Sequence, residues 1–599
     1  MTKTVRIGCA SGFWGDSFLA APQLVRHGRI DYLVFDYLAE ITMSIMARAR
    51  AKDANAGYAT DFVTVTMRAI AREVAEKKIK VIANAGGVNA AACAAALEKV
   101  LAEQGAKLSV AYVTGDDILE SIGNWRAQDV REMFTGAPLP DTPLSMNAYL
   151  GGFPVAAALA KGADVVITGR CVDSAVTLGA CIHEFGWKPD EYDKLAGGSL
   201  AGHIVECGAQ ACGGLFTDWR EVPDWSNIGY AIAEVSEDGS FVATKPEGTG
   251  GLVTRGSVGE QLLYEIGDPQ AYMLPDVVCD FSNVTLEEVA RDRVRVSHAK
   301  GFPPTHTYKV SVTHEDGYRV GAYLTVGGLE AEAKARRTGD EVLKRLDRML
   351  RQRDWGPYEE TSLEVVGSED SYGAHKRDLG SREAILKLAA KHPKREALEL
   401  LVRELTSSGT SMAPGTGGMG GSRARVSPVV RHFACLIPKR EVAACVHIGG
   451  EAFPVSVPVD GGFEPSLIAR PAIADHAPVG ATADVPLIRL AYARSGDKGN
   501  NSNIGIMARR VEYMPFIRAS LTADAVARWF AHKFEGGNGK VERFDLPGLP
   551  ALNFLLHDSL GGGGIASLSN DPQGKAYGQM LLDFPVKVPA ALAKELNAA

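Results

Sequence analysis

The sequence predicts an α/β protein with a parallel doubly wound sheet in its N-terminal part, an α+β middle region and a small C-terminal α/β sandwich. Three observations carry that prediction. Short apolar runs that end in Gly, Asp or Asn and lead into helical stretches recur through the first 300 residues, the pattern of parallel βα units. From Thr305 the apolar residues alternate with period two, as in THTYKVSVT and GYRVGAYLTVGG, which suits strands with one buried face. A Pro- and Ala-containing linker, residues 464–484, then sets off a last stretch with its own strands and helix. The expected divisions are residues 1–300, 301–465 and 485–599.

The totals exclude several classes of function. With 599 residues, 46% hydrophobic and 23% charged, the chain has an ordinary globular composition. Its length accommodates several domains of about 100–200 residues. A net charge of −8 and a pI near 6.0 argue against nucleic acid or an anionic membrane as the main partner, because both select concentrated Lys and Arg. No apolar run approaches the ~18 residues needed to span a bilayer, and MTKTVRIGCASGFWGD lacks the apolar core of a secretory leader. A cytoplasmic protein with a small-molecule or protein partner is expected. Nine cysteines without a CxxC pair predict buried thiols and no disulfide framework.

Taken in order, residues 5–11 form a strand whose turn holds Gly12 and Gly15 but no GxGxxG, so a dinucleotide fingerprint is absent there. The aromatic pair Phe13 and Trp14 in that turn suits packing. Residues 32–35 give a second strand ending in Asp36, with Glu40 one turn into the helix; the two carboxylates suit either acid–base work or helix capping. Residues 81–83 lead through Asn84, Gly86, Gly87 and Asn89 into an Ala-rich helix closed by Gly105, and its first amides could hold an anion. A fourth strand, within 108–118, ends in Gly115, Asp116 and Asp117. Residues 147–187 supply a helix, a buried strand and a second helix, with Thr168, Gly169, Arg170, Asp173 and Ser174 at the strand end. In open parallel sheets ligands bind outside the carboxyl ends of the strands, so these loops together predict a site.

The segment 202–219 crowds His203, Glu206, Cys207, Gln210 and Cys212 into ten positions. His203 and Glu206 lie three apart and share a face if helical. Three chemical readings fit, besides buried thiols and a capped turn: a metal site with Cys207 or Cys212, a nucleophilic Cys207 assisted by His203, or proton transfer by Glu206 with His203. KPEGTGG, residues 245–251, lacks the P-loop pattern but combines Lys245 with Gly250 and other glycines, as either an anion-holding loop or a plain connection.

In the middle region a charged helix is expected over 330–351, then a strand SLEVVG, then a further helix within 370–403. The Gly-, Ser- and Pro-rich segment 407–428 suits either a lid or a connector. In the C-terminal stretch, SGDKGNNSN (residues 495–503) is a polar loop, too long for a two-residue hairpin, that presents Asp497, Lys498 and Asn501 or else satisfies itself. A helix from Thr522 and strands KVERFDL, LNFLLHDS and QMLLDFPVKV complete the sandwich.

The motifs IGCASGFWGD, DYLVFDYLAEITMS, NAGGVN, GADVVITGRCVDSA, HEFGW, HIVECGAQACGG, KPEGTGG and EQLLYEIGDPQAY together resemble the acyclic terpene utilisation AtuA family, over about residues 4–460. Residues 485–588 resemble the ferredoxin-like domain that follows it in longer members. The resemblance implies breakdown of branched acids or acyclic terpenes through coenzyme A thioesters, beside acyl-CoA carboxylases. It carries over no catalytic residue. The expectation is therefore a hydratase or lyase acting on a branched acyl-CoA or its carboxylated derivative, with no cofactor or resident metal and a homo-oligomeric state. The alternatives are a non-catalytic scaffold or regulator of an acyl-CoA carboxylase, docking through the C-terminal module, and a metal-dependent hydrolase. The catalytic set expected from the residues is Glu206 and His203 for proton transfer with Arg170 and Asp173 as orienters. Substrate contacts are expected from Asp36, Asn84, Gly86, Gly87, Asn89, Gly115, Asp116, Lys245, Gly250, Asp497, Lys498 and Asn501.

Overall fold

The computed structural model describes residues 3–598 except 379, 419–422, 471–472, 474–477, 479 and 565. At its centre the strands Thr4–Cys9, Tyr32–Phe35, Lys80–Ala83, Val165–Ile167 and Val110–Thr114 lie side by side in that order, all parallel. Successive strand side chains point to opposite faces, and here they feed two separate cores. Ile7, Cys9, Val34, Ile82 and Val166 join the core that holds Val155, Leu178, Leu200 and Ile204. Leu33, Phe35, Val81, Ala83 and Ile167 join the other, with Leu24, Met43, Ile70 and Leu97. The helices Ala20–His27, Glu40–Lys52, Arg68–Lys77 and Ala90–Gln104 therefore cover one face. Phe153–Ala160, Ala175–Phe185 and Tyr192–Val205 cover the other.

This winding creates a switch point. The strand Lys80–Ala83 hands the chain to a helix on one face, while its neighbour Val165–Ile167 hands it to a helix on the opposite face. The crevice between two such connections is where doubly wound sheets place ligands.

Antiparallel strands extend the sheet to eleven. Ile232–Ser236, Phe241–Thr244, Arg293–Ser297 and Thr285–Ala290 lie beyond Thr4–Cys9, and Cys445–Ile448 and Glu451–Pro454 lie beyond Val110–Thr114. A second sheet is built on the long strand Thr307–Gly327, and Pro143–Ala148 leaves the first region to pair with it. Strands thus cross the division expected near residue 300 in both directions.

The helix expected within 370–403 is corrected. Glu383–His392 is a strand, and the helix begins at Arg395 and runs to Ser407. Ala384, Leu386, Leu388 and Ala390 alternate into the core, while Lys387 and Lys391 on the other face meet Glu364 and Glu360 of the neighbouring strand. Period-two burial and cross-strand charge pairs override the helix-forming composition. Of the segment 407–428, Thr416–Gly418 pairs with the long strand at 324–326, and residues 419–422 lie outside the described residues. Parts of the linker 464–484 do so as well.

The C-terminal module has a four-stranded antiparallel sheet, in the order Ala491–Lys498, Asn501–Ala508, Ala551–Leu556 and Val541–Leu546. Its core includes Val526, Phe530 and Phe554, and the Thr522 hydroxyl caps the helix Ala523–Trp529 by accepting from the Ala525 amide at 3.1 Å. The polar loop expected at 495–503 is corrected as well. It is the tip of a hairpin with Lys498 paired to Asn501 across the two residues Gly499 and Asn500. Gly499 has φ +65°, and a positive φ at the first turn position alone fits a type II′ turn. Among the described residues no helix is long and apolar enough to cross a membrane.

Candidate active site

Four of the strand-end residues form a buried polar framework at the switch point. The Asn84 carboxamide oxygen accepts from the Tyr37 amide at 2.7 Å, and its nitrogen donates to the Asp36 carboxylate. Asp116, 5% exposed, accepts on one carboxylate oxygen from the Asn147 side chain at 2.9 Å and from the Arg170 amide at 2.8 Å. Gly169 allows that approach: a Cβ there would lie 2.5 Å from both carboxylate oxygens of Asp116. Burial pushes the Asp116 carboxyl up to about 7.

The Arg170 side chain is buried, with Nη1 donating to the carbonyls of Leu38 (3.0 Å) and Cys171 (2.9 Å) and to Asp173 (2.9 Å). Its guanidinium stacks 4.1 Å from the Tyr149 ring centroid, and Nε has no hydrogen-bond partner among the described residues. Burial works against its charge, but Tyr149, Asp173 and Glu40 outweigh that and keep Arg170 ionised. Arg170 thus anchors the rim, and Asp173, with a side chain 40% exposed, is the carboxylate it presents.

The helix Tyr192–Val205 brings His203 and Glu206 to the same place, with Glu206 at its C-cap. Gly202 permits this because a Cβ would lie 2.7 Å from the Ser174 side chain, so the helix end packs directly on the chain after Arg170. His203 is 1% exposed; its Nδ1 lies 3.0 Å from Glu206 Oε1, and its Nε2 has no hydrogen-bond partner among the described residues. The Tyr272 ring lies 5.9 Å from the imidazole. The Glu206 backbone carbonyl meets the Cys9 thiol, which ties the pair to the end of the first strand.

The charges of these groups act on one another. Burial, then Asp173 and Glu206, push the Asp36 carboxyl well above the usual carboxylate range, with Arg170 and Asn84 opposing. Burial also raises Glu206, against the pull of His203. Tyr272 is raised by burial and then by Glu206 and Asp173. An Asp36, Asp173, Glu206 and Tyr272 cluster facing His203 and Arg170 is a set of groups poised for proton transfer.

The C-terminal module completes one side. Lys498 lies 5.5 Å from the Tyr272 ring centroid, and Lys575 reaches Glu265 at 2.9 Å, Asp497 at 3.4 Å and the Tyr264 hydroxyl. Burial opposes the charge of Glu265, and Lys575 and Lys498 outweigh it, holding its carboxyl below the usual range. Asp497 is pushed up to about 6 by burial and by Glu265, with Lys575 opposing. Asn503 ties the module down by accepting from the Glu265 amide at 2.8 Å and donating to the Leu263 carbonyl at 2.7 Å. The opposite side holds Glu40, which accepts from the Tyr149 hydroxyl at 2.6 Å, with Lys309 at 3.8 Å and His432 at 3.9 Å.

Other expected contacts have structural jobs. The amides of Gly86, Gly87, Val88 and Asn89 all donate to backbone carbonyls, and the Asn89 side chain caps the helix Ala90–Gln104, so these four amides are already engaged. Gly115 packs its Cα against the Ala443 carbonyl. Lys245 closes its own loop by donating to the Thr249 carbonyl at 2.9 Å and pairs with Asp292 at 3.4 Å, while Gly250 packs against the Asp224 carbonyl. Asn501 accepts from the Asp558 amide at 2.9 Å, within its own module.

Two of the three readings of the 202–219 segment find less support. The Cys212 thiol is buried against the Thr244 carbonyl, and among the described residues no group of three or more His, Cys, Asp or Glu is placed to hold a metal ion. Burial, then Glu206 and Glu265, push the Cys207 thiol well above its ordinary value, the opposite of what a thiolate nucleophile needs. Sequence reasoning missed Tyr149, Tyr264, Glu265, Tyr272, Lys309, His432 and Lys575. Tyr264, Glu265 and Tyr272 stand in EQLLYEIGDPQAY, where three acids and two tyrosines within a short motif were a legible signal.

No curated protein and no solved structure matches the chain. The AtuA ferredoxin-like domain profile matches residues 485–587, over the four-stranded module. The profile of the acyclic terpene utilisation family protein AtuA matches residues 5–448, which takes in both large sheets up to the edge strand Glu451–Pro454 and every N-terminal residue of the site, and the chain belongs to that family.

Proposed function

We propose that this chain is an enzyme of branched or acyclic-terpenoid acyl-CoA breakdown, a hydratase or lyase that moves a proton at the carbon beside the thioester of a branched acyl-CoA or its carboxylated derivative. One observation carries the reading: a buried His203 held through Nδ1 by Glu206, with Nε2 left without a hydrogen-bond partner among the described residues, at the switch point of a doubly wound sheet. In its ionised form, which His203 favours against the burial that raises its carboxyl, Glu206 fixes the imidazole proton on Nδ1 and leaves Nε2 as the base, and it stabilises the imidazolium once Nε2 has taken a proton. The enolate oxygen formed by such a step needs positive charge close by, which Lys498 and Arg170 supply. Asp173, anchored by Arg170, and Asp36 are the carboxylates that orient polar groups of the substrate.

A scaffold for an acyl-CoA carboxylase finds less support. That reading has the C-terminal module dock a partner, whereas Asp497 and Lys498 of this module turn inward to Lys575 and Tyr272. The test is a thermal-shift panel of acyl-CoAs and free acids, followed by turnover of each ligand that stabilises the protein. The reading predicts stabilisation by branched acyl-CoAs and loss of turnover, with binding kept, in Glu206→Gln. Full turnover by Glu206→Gln contradicts it.

A further inference from the structure

A second feature lies where the N-terminal part meets the C-terminal module. A cleft of about 440 Å³ is lined by Leu215, Phe216, Trp219 and Trp225 on one side and by Arg494 and Lys575 on the other. Its volume falls within the range of small-molecule sites. Trp219 and Trp225 are 47% and 55% exposed, with ring centroids 5.9 Å apart, and Leu215 is 68% exposed. Leu215 holds φ +60°, a strained conformation for a branched apolar residue, fixed by Arg494 donating to its carbonyl at 2.9 Å. Paired indoles left in water at the mouth of a cleft are a stacking platform in search of a flat ring.

The charge of the cleft selects the rest of the ligand. None of its lining residues is Asp or Glu, in a chain with a net charge of −8. The charged lining residues are Arg494 and Lys575, the latter shared with Glu265 and Asp497, beside neutral Ser495 and Gln579, and Arg220 stacks 4.1 Å from the Trp219 ring centroid at the edge. A flat base carrying phosphates is the complement of two exposed indoles, tilted 40° to each other, with cations beside them. The cleft also connects to the proton-transfer groups. Lys575 touches Glu265 and Asp497, and Arg494 donates to the Gln210 side chain on the segment that follows Glu206.

We propose that this cleft binds the adenosine phosphate end of the coenzyme A thioester, an inference that rests on the acyl-CoA reading above. The indoles hold the adenine, Arg494, Lys575 and Arg220 face the phosphates, and the pantetheine arm runs past Lys575 toward His203.

Calorimetry on the full chain tests this with coenzyme A and with adenosine 3′,5′-bisphosphate, which lacks the acyl arm. Both are expected to bind, and Trp219→Ala with Trp225→Ala is expected to weaken both by roughly 5- to 150-fold, the range for losing the stacking of one base. Trp225→Phe, which keeps an aromatic face, should recover most of the loss and shows that the effect is stacking and not misfolding. If coenzyme A binds and the tryptophan variants bind it equally well, the cleft assignment is overturned while the acyl-CoA reading stands. If neither coenzyme A nor any acyl-CoA binds the unaltered protein, both fall. If the variants change the oligomeric state and leave affinity unchanged, the cleft is a contact for a second copy and the assignment is overturned.

Discussion

Asp116→Asn isolates the framework beneath the site. Asp116 is buried, and burial raises its carboxyl to about 7. The unfolded chain, with an ordinary Asp near ~4, has lost its proton by about pH 5, whereas the folded protein still holds it there and gives it up as the pH rises to about 8. A folded-state pKa raised above the unfolded one means that stability falls over this window. Two units between about pH 5 and about 7, at ~1.4 kcal/mol each, give about 3 kcal/mol lost by the wild type through this one group. Asparagine does not titrate, and its single oxygen keeps both bonds that Asp116 accepts on one atom, from Asn147 and the Arg170 amide. Its NH₂ replaces the other oxygen near Gly169 without an acceptor, at a cost of about 1–3 kcal/mol at any pH. The variant should therefore be less stable than wild type near pH 5 and close to it near pH 8. Glu260 and Asp276, raised to about 7 and about 6, titrate in both proteins and cancel from the comparison. Thermal unfolding midpoints of the two proteins across this range read the difference as a change of several degrees in their gap. A gap that stays constant with pH refutes the burial argument.

Gly169→Ala should destabilise the protein by about 1–3 kcal/mol, because the new methyl meets the Asp116 carboxylate inside a packed turn; an unchanged melting midpoint contradicts the close approach. Lys575→Met leaves Glu265 and Asp497 facing each other without their shared cation, raises Asp497 further above about 6, and should cost about 1–3 kcal/mol, less than a fully buried pair because Lys575 is 37% exposed. Hydrogen exchange at Ala491–Lys498 should quicken in that variant, and unchanged protection there contradicts the clamp.

Much of the N-terminal sheet was legible because each parallel strand is buried on both faces and reads as a short apolar run closed by Gly, Asp or Asn. The strand ends named from sequence do meet: Asp36, Asn84, Asp116, Arg170 and Asp173 share one crevice with His203 and Glu206. What was illegible depends on pairing between distant segments. Pro143–Ala148 joins a strand more than 150 residues away, and Cys445–Ile448 returns to the first sheet, because register is set by partners that no local window contains. Glu383–His392 hid behind helix-forming Lys, Leu and Ala, although its apolar residues alternate. Glycine was ambiguous for a related reason. Gly86, Gly87 and Gly250 serve close backbone packing, which asks for the same residue as an anion-holding turn does. Lys575 and Glu265 were missed because their meaning lies in each other, 310 positions apart.

The central claim is that His203 Nε2, oriented by Glu206, exchanges a proton with the carbon beside a thioester. The most direct measurement is proton exchange in D₂O: a branched acyl-CoA that stabilises the protein is incubated with it, and its C2–H signal is followed by NMR. The account predicts loss of that signal with the unaltered protein and exchange slowed by about 10²–10⁴-fold in His203→Gln, with ligand affinity kept. Equal exchange rates for His203→Gln and the unaltered protein would contradict it.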